Sequence, residues 1–136
     1  MNVIVDTSVW SRGLRRTDMS AAGTTREVAE LIHEGRVVML GPIRQELLSG
    51  VREEQQFTRL RDALRPFSDH RLSQEDFETA AACFNRCRRR GIQGSNTDFL
   101  ICAVASRNRF EVFTRDLDFD RFRRVLGIKL YSTRFR

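Results

Sequence analysis

With 136 residues, 40% of them hydrophobic, the chain fits one domain spanning 1–136 with a real core, since soluble domains run to roughly 100–200 residues. Its 24 basic and 18 acidic residues leave a net charge of +6, and ten Phe with regular aliphatic runs exclude bulk disorder. The longest apolar run, Phe99 to Ala105, is far short of the roughly 20 residues that cross a bilayer. The start, Met1-Asn-Val-Ile-Val-Asp6, lacks the basic region of a secretory leader, so the expected location is cytoplasmic.

Asn2–Asp6 is a β-branched run ending on a carboxylate, the pattern of a buried strand that turns polar at Thr7-Ser8. Thr24 with Glu27 predicts a capping box opening a helix that carries Val28, Leu31 and Ile32 and stops at Gly35. Val37–Leu40 reads as a second buried strand. Pro42 suits the first turn of a short helix through Ile43, Glu46 and Leu47 that ends at Gly50. Phe57, Leu60, Ala63 and Leu64 mark a further helix bounded by Pro66. Ser73 with Asp76 predicts a second capping box, and that helix runs into Arg88-Arg89-Arg90 before Gly91.

Residues 91–96 read as a polar loop, and from Thr97 the run is too apolar for a surface helix, so it should be the central buried one. Glu111–Thr114 and Ile128–Tyr131 predict two more strands. Strands alternating with helices imply an α/β fold with a mostly parallel central sheet covered on both faces.

The basic residues are lopsided: 23 are Arg, and Lys129 is the single Lys. Arg carries a planar fork of donors that matches phosphate, so a polyanion partner competes evenly with a plainly solvated Arg-rich surface. Arg12, Arg15 and Arg16, and Arg86 with Arg88, Arg89 and Arg90, are placed to track a phosphate backbone. The three cysteines, Cys83, Cys87 and Cys102, suit structural thiols better than a zinc site, which would lack short paired ligand spacings. Trp10 suits the core better than base stacking.

Most acids read as solvated helix charges, but four do not. Asp6 ends the first strand and Asp116 follows the third, and in open α/β sheets sites lie beyond the carboxyl ends of strands. Asp98 opens the buried helix, where it can also serve as a cap, and Glu46 lies on the short helix after the second strand. Four carboxylates on one rim repel unless a cation lies between them, and hard oxygen donors select Mg²⁺ or Mn²⁺. Such ions also bind phosphates, which suits an acidic pocket on a basic protein. Asp116-Leu-Asp118-Phe-Asp120 imitates a calcium loop, but Arg121 stands where the turn needs Gly. Phosphate-loop and nucleophile-elbow motifs are lacking.

Four segments carry a family resemblance: Val3-Ile-Val-Asp6-Thr-Ser8, Pro42-Ile-Arg-Gln-Glu46-Leu-Leu-Ser-Gly50, Asn96-Thr-Asp98-Phe-Leu-Ile, and Thr114-Arg-Asp116-Leu-Asp118-Phe119. In order and spacing the chain resembles a PIN-domain ribonuclease, and specifically a VapC-type toxin of a bacterial type II toxin–antitoxin pair. The resemblance implies a PIN-like three-layer α/β/α fold and an Mg²⁺-dependent endoribonuclease, with Mn²⁺ as a substitute. Asp6, Asp98 and Asp116 would hold the metal, and Glu46 a water or a second ion. Ser8 and Thr114 would orient those ligands, while Asp118 stands between support of the site and capping of a short helix.

Arg12, Arg15, Arg88 and Arg89 are the candidate RNA contacts. The resemblance further implies a cognate VapB-type antitoxin, a homodimer, a heterotetramer or larger assembly with the antitoxin, and an RNA substrate of the structured kind, such as tRNA. Leu47, Leu48, Val51 and Phe57 offer apolar surface for such a partner. The alternatives are an RNA-processing PIN nuclease without an antitoxin, a nuclease directed at DNA, and a non-catalytic RNA-binding module.

Overall fold

The computed structural model describes residues 1–13 and 22–135. Among the described residues, four strands form one sheet: β1 (Val3–Val5), β2 (Val37–Val38), β3 (Glu111–Phe113) and β4 (Lys129–Leu130). Their order is β2-β1-β3-β4, and every pairing is parallel. Val3 lies opposite Val37 on one side and Glu111 on the other, so β1 is flanked on both edges. Its three side chains are fully buried, which is why the run is β-branched throughout instead of alternating.

Seven helices among the described residues connect and cover the strands: α1 (Thr7–Gly13), α2 (Ala22–His33), α3 (Gly41–Leu48), α4 (Glu54–Leu64), α5 (Gln74–Arg89), α6 (Asn96–Asn108) and α7 (Asp118–Leu126). The chain leaves β1 for β2 on one side of the sheet and β3 for β4 on the other. Right-handed crossovers then send the intervening helices to opposite faces, which makes the three layers. α1 packs on α2 and α3, while α5 packs on α6 and α7. No helix among the described residues is long and apolar enough to cross a membrane.

α6 is the buried helix expected from its sequence: Phe99 through Ala105 are all in the core. Its neighbour α5 has the expected capping box, Ser73 Oγ accepting from the Asp76 backbone N–H while Asp76 accepts from Ser73. Asp76 is itself buried and also takes a 2.6 Å hydrogen bond from Arg107 of α6, which ties the two helices together. The three cysteines are buried free thiols, raised in pKa first by burial, and Trp10 is a core residue set edge-on to Phe67 at 5.3 Å.

Several expectations need correction. The strands are shorter than predicted, and Met39 makes only an isolated bridge to Asp69. α1 was not expected; it forms because the Asp6 carbonyl accepts the N–H groups of both Val9 and Trp10, bending the chain into a helix straight off β1. The Thr24–Glu27 box is not formed, because α2 already starts at Ala22, and Glu27 is instead drawn into the core by the C-terminal segment. The helix stop at Gly35 holds, with a φ of 68° that favours glycine.

Candidate metal and nuclease site

β1 and β3 are neighbours whose chains depart in opposite directions across the sheet, which makes the gap beyond their carboxyl ends a topological switch point. Asp6 is the first residue after β1. Its backbone N–H bonds the Phe113 carbonyl at 2.9 Å, continuing the ladder by one residue. Its side chain is buried, and Oδ2 accepts hydrogen bonds from Ser8 Oγ at 2.8 Å and Thr114 Oγ1 at 2.9 Å. Burial of a carboxylate needs such donors, and each hydroxyl is held in turn. The Arg115 backbone N–H donates to Ser8 Oγ, and the Asp116 backbone N–H donates to Thr114 Oγ1 at 3.0 Å. Ser8 and Thr114 thus hold the Asp6 carboxylate in one orientation and fix the turn that carries Asp116.

Asp98 enters from α6. Its Oδ2 accepts the Ser95 backbone N–H at 3.0 Å, and Ser95 Oγ accepts the Asp98 backbone N–H at 3.0 Å, a capping box that locks the side chain at the start of the helix. The cap engages Oδ2 and leaves Oδ1 without a donor among the described residues. Burial pushes the Asp98 carboxyl above its ordinary range, the bonds from Ser95 oppose that, and the charges of Asp6 and Asp116 push it further. Asp98 at the start of α6 thus lies within reach of the charges of Asp6, just after β1, and Asp116, in the turn after β3.

Asp116 Oδ1 accepts the Asp118 backbone N–H at 2.9 Å, so Asp118 opens α7 with its own carboxylate exposed. Glu46, exposed on α3, accepts Thr7 Oγ1 at 2.9 Å, which links it to the residue next to Asp6. Thr7 and Ser95 are holding residues that sequence reasoning did not single out. Thr7 lies inside the Asp6-Thr-Ser8 segment, and Ser95 stands in a Ser-x-x-Asp pattern that signals a cap.

Each of the four acids thus has one oxygen engaged by a protein donor, with the other free of donors among the described residues. The donor set is hard oxygen throughout, as Mg²⁺ requires. No three acid, histidine or cysteine side chains among the described residues stand close enough to grip one ion unaided. Mg²⁺ does not demand that, since it commonly takes one or two carboxylates and completes its shell with water.

The candidate RNA contacts fall unevenly. Arg88 and Arg89 are exposed on the last turn of α5, Arg12 is half-buried on the last turn of α1, and Arg15 lies outside the described residues, as does Arg16. In the apolar stretch, Leu47 is buried, whereas Leu48, Val51 and Phe57 are half-buried. Leu47 and Val51 line an open depression of about 870 Å³ with Ser11, Gln56 and Leu60.

The sequence matches the PIN domain family model over residues 3–125. It is 32% identical to the VapC ribonuclease Mb1587 of Mycobacterium bovis and, equally, to ribonuclease VapC11 of Mycobacterium tuberculosis, covering 97% of this chain and 99% of each relative. Among solved structures, FitAcB from Neisseria gonorrhoeae superposes with a TM-score of 0.76 at 19% identity, over 96% of both chains. VapBC2 from Rickettsia felis, bound to a DNA fragment from its promoter, gives 0.75 at 16% identity, over 96% of this chain and 98% of that one. These two share the fold. The chain belongs to the PIN-domain family, among the VapC ribonucleases.

Proposed function

We propose that this chain is a single PIN domain over 1–136 that hydrolyses RNA phosphodiester bonds, with Mg²⁺ as cofactor and Mn²⁺ as a substitute. PIN-domain ribonucleases are in general dependent on divalent metals. The observation that carries the proposal is the placement of Asp6, Asp98 and Asp116 at the β1/β3 switch point, where Ser8, Thr114 and Ser95 fix their orientation and the charges of Asp6 and Asp116 reach Asp98, a repulsion that a cation between them would relieve. Asp6, Asp98 and Asp116 would hold the ion, one or two of them directly through the oxygen that no protein donor occupies and the rest through its bound waters. When bound, the ion offsets the carboxylate charge, draws in a substrate phosphate and makes water a better nucleophile.

The chain's own residues do the rest. Ser8 and Thr114 keep Asp6 in one orientation, and Ser95 does the same for Asp98. Glu46, held by Thr7 and open to solvent, orients the attacking water and accepts its proton. Asp118 supports the Asp116 turn, and Arg12, Arg15, Arg88 and Arg89 contribute phosphate contacts along the RNA.

We further propose that the protein is the toxin of a type II pair in the bacterial cytoplasm, silenced by a VapB-type antitoxin and assembled as a homodimer or a larger complex with it. Support comes from the curated relatives named VapC, and from solved neighbours that are toxin–antitoxin complexes. The half-buried side chains of Leu48, Val51 and Phe57 offer such a partner apolar surface.

The test is cleavage of total RNA by purified wild-type and Asp98→Asn protein, with Mg²⁺ and then with EDTA. Discrete fragments, structured RNAs such as tRNA among them, should need both the metal and Asp98. Fragments that persist in EDTA, or with Asp98→Asn, would refute the metal-site assignment.

A further inference from the structure

Beside the carboxylates, the carboxyl ends of β3 and β4 frame an open cavity of about 500 Å³. Thr114, Arg115 and Leu117 line one side, and Tyr131, Ser132 and Thr133 the other. It shares a wall with the site, because Thr114 is a donor to Asp6 and the Arg115 backbone donates to Ser8. Its lining supplies a guanidinium, several hydroxyls and, at 79% exposure, the most solvent-exposed large apolar side chain among the described residues, Leu117.

Both walls are anchored to α2. Arg115 Nη1 donates to Thr24 Oγ1 at 3.3 Å, which ties the guanidinium to α2 and uses one of its five N–H donors. The opposite wall is held by Glu27, whose fully buried carboxylate accepts the Tyr131 hydroxyl, Arg134 Nε at 2.8 Å, and the backbone N–H groups of Arg134 at 2.8 Å and Phe135 at 2.9 Å. A buried carboxylate with four donors from one five-residue segment fixes where that segment runs, and hence the shape of the cavity.

We infer that this cavity is the subsite for the nucleotide adjoining the cleaved phosphodiester, with Arg115 holding that nucleotide's phosphate and Leu117, Ser132 and Thr133 meeting its sugar and base; this rests on the ribonuclease function proposed above. Carboxylates repel an incoming phosphate chain, so a strand can lie against them only where a cation neutralises the neighbouring phosphate. Arg115 is positioned for that, with the fork geometry that matches phosphate. Hydroxyls at the opposite wall suit the 2′-OH and base edges of single-stranded RNA. Ligand pockets run to roughly 300–1,000 Å³, so the space suits one nucleotide and not a folded segment.

Binding is measured with the Asp98→Asn protein, which cannot turn over, using a fluorescein-labelled RNA oligonucleotide that spans a cleavage point mapped with the wild type. Adding Arg115→Ala should raise Kd about tenfold and reduce the slope of log K against log salt by about 0.7, the value for one phosphate contact on a single strand. Removing the nucleotide on one side of the cleavage point should weaken binding to Asp98→Asn, yet leave the Arg115→Ala double variant unchanged. Leu117→Ser, an exposed substitution that cannot unfold the core, should weaken binding severalfold and only for the longer RNA. Circular dichroism of each variant separates misfolding from lost contacts, and Arg115→Lys restores charge without the fork and should recover only part of the affinity. Equal Kd and salt slope with and without Arg115, or an unchanged effect of truncation, overturns the subsite while the nuclease assignment stands. Wild-type protein that cuts no RNA overturns both.

Discussion

Gly94 precedes the Ser95–Asp98 cap and has little room around it. A Cβ there would lie 2.6 Å from Phe122 Cζ and 3.0 Å from Phe99 Cε2 and Cζ. Neither ring can retreat easily. Both are buried, Phe99 stacks at 4.9 Å from Phe122 and 5.4 Å from Phe84, and Phe119 closes the cluster at 5.1 Å from Phe122. The backbone itself is no obstacle, since Gly94 has no positive φ; the left-handed glycines are Gly35, Gly50, Gly91 and Gly127. The penalty of Gly94→Ala is therefore steric. Overpacking costs about 1–3 kcal/mol, offset by less than about 1 kcal/mol from a stiffer unfolded chain, leaving about 1–2 kcal/mol net. For a domain of this size that lowers Tm by roughly 3–10 °C in thermal denaturation followed by circular dichroism.

The displaced loop should also carry Ser95 with it, and RNA cleavage should fall because Asp98 loses its fixed orientation. Phe122→Leu costs on the order of 1 kcal/mol alone through the space it leaves, but in the Gly94→Ala background it should make room for the new methyl. The double variant should then be more stable than the sum of the two by about 1 kcal/mol or more. A Gly94→Ala Tm within about 1 °C of wild type, or strict additivity with Phe122→Leu, refutes the steric account.

Three further outcomes are expected. Thr114→Val keeps the volume but removes the hydroxyl that donates to Asp6 and accepts from Asp116, and Mn²⁺ titration should show metal affinity lowered about 10–100-fold. Asp98→Asn should abolish cleavage yet keep a cooperative unfolding transition close to wild type, because Asn retains an oxygen for the Ser95 N–H and sheds a charge that Asp6 and Asp116 oppose; a large drop in Tm would contradict this. Glu27→Gln turns an amide toward the Arg134 and Phe135 N–H donors and should cost about 2–4 kcal/mol at pH 7 in urea denaturation, at about 1–3 kcal/mol per unpaired group. Burial alone would raise the Glu27 pKa, but the bonds from Tyr131 and Arg134 and the two backbone donors outweigh it and leave it below 4.5. The stabilisation is thus present above pH 4.5 and disappears as pH falls through the lower folded value, so the gap between wild type and Glu27→Gln should close in acid.

Much of this protein was legible residue by residue. The buried β1 run, the fully apolar α6 and the Ser73–Asp76 cap are local patterns, and local patterns are set by side chains a few positions apart. Motif order carried the family, because Asp6, Glu46, Asp98 and Asp116 recur in short recognisable segments. What sequence could not supply were the partners. Thr24-x-x-Glu27 has the spelling of a cap, yet Glu27 bonds a segment 104 to 108 positions away, which no local rule sees. α1 escaped notice because seven residues are too few for a hydrophobic period, and the turn that starts it depends on the carbonyl of Asp6.

Strand order was decided in three dimensions. Only with β3 beside β1 do Thr114 and Ser8 converge on one oxygen of Asp6, and only then does Asp98 feel both of the other charges. The sequence by itself determined which residues are chemically able to act. Tertiary structure decided which of them act on each other, because hydrogen bonding and charge repulsion depend on ångström separations that chain spacing does not encode.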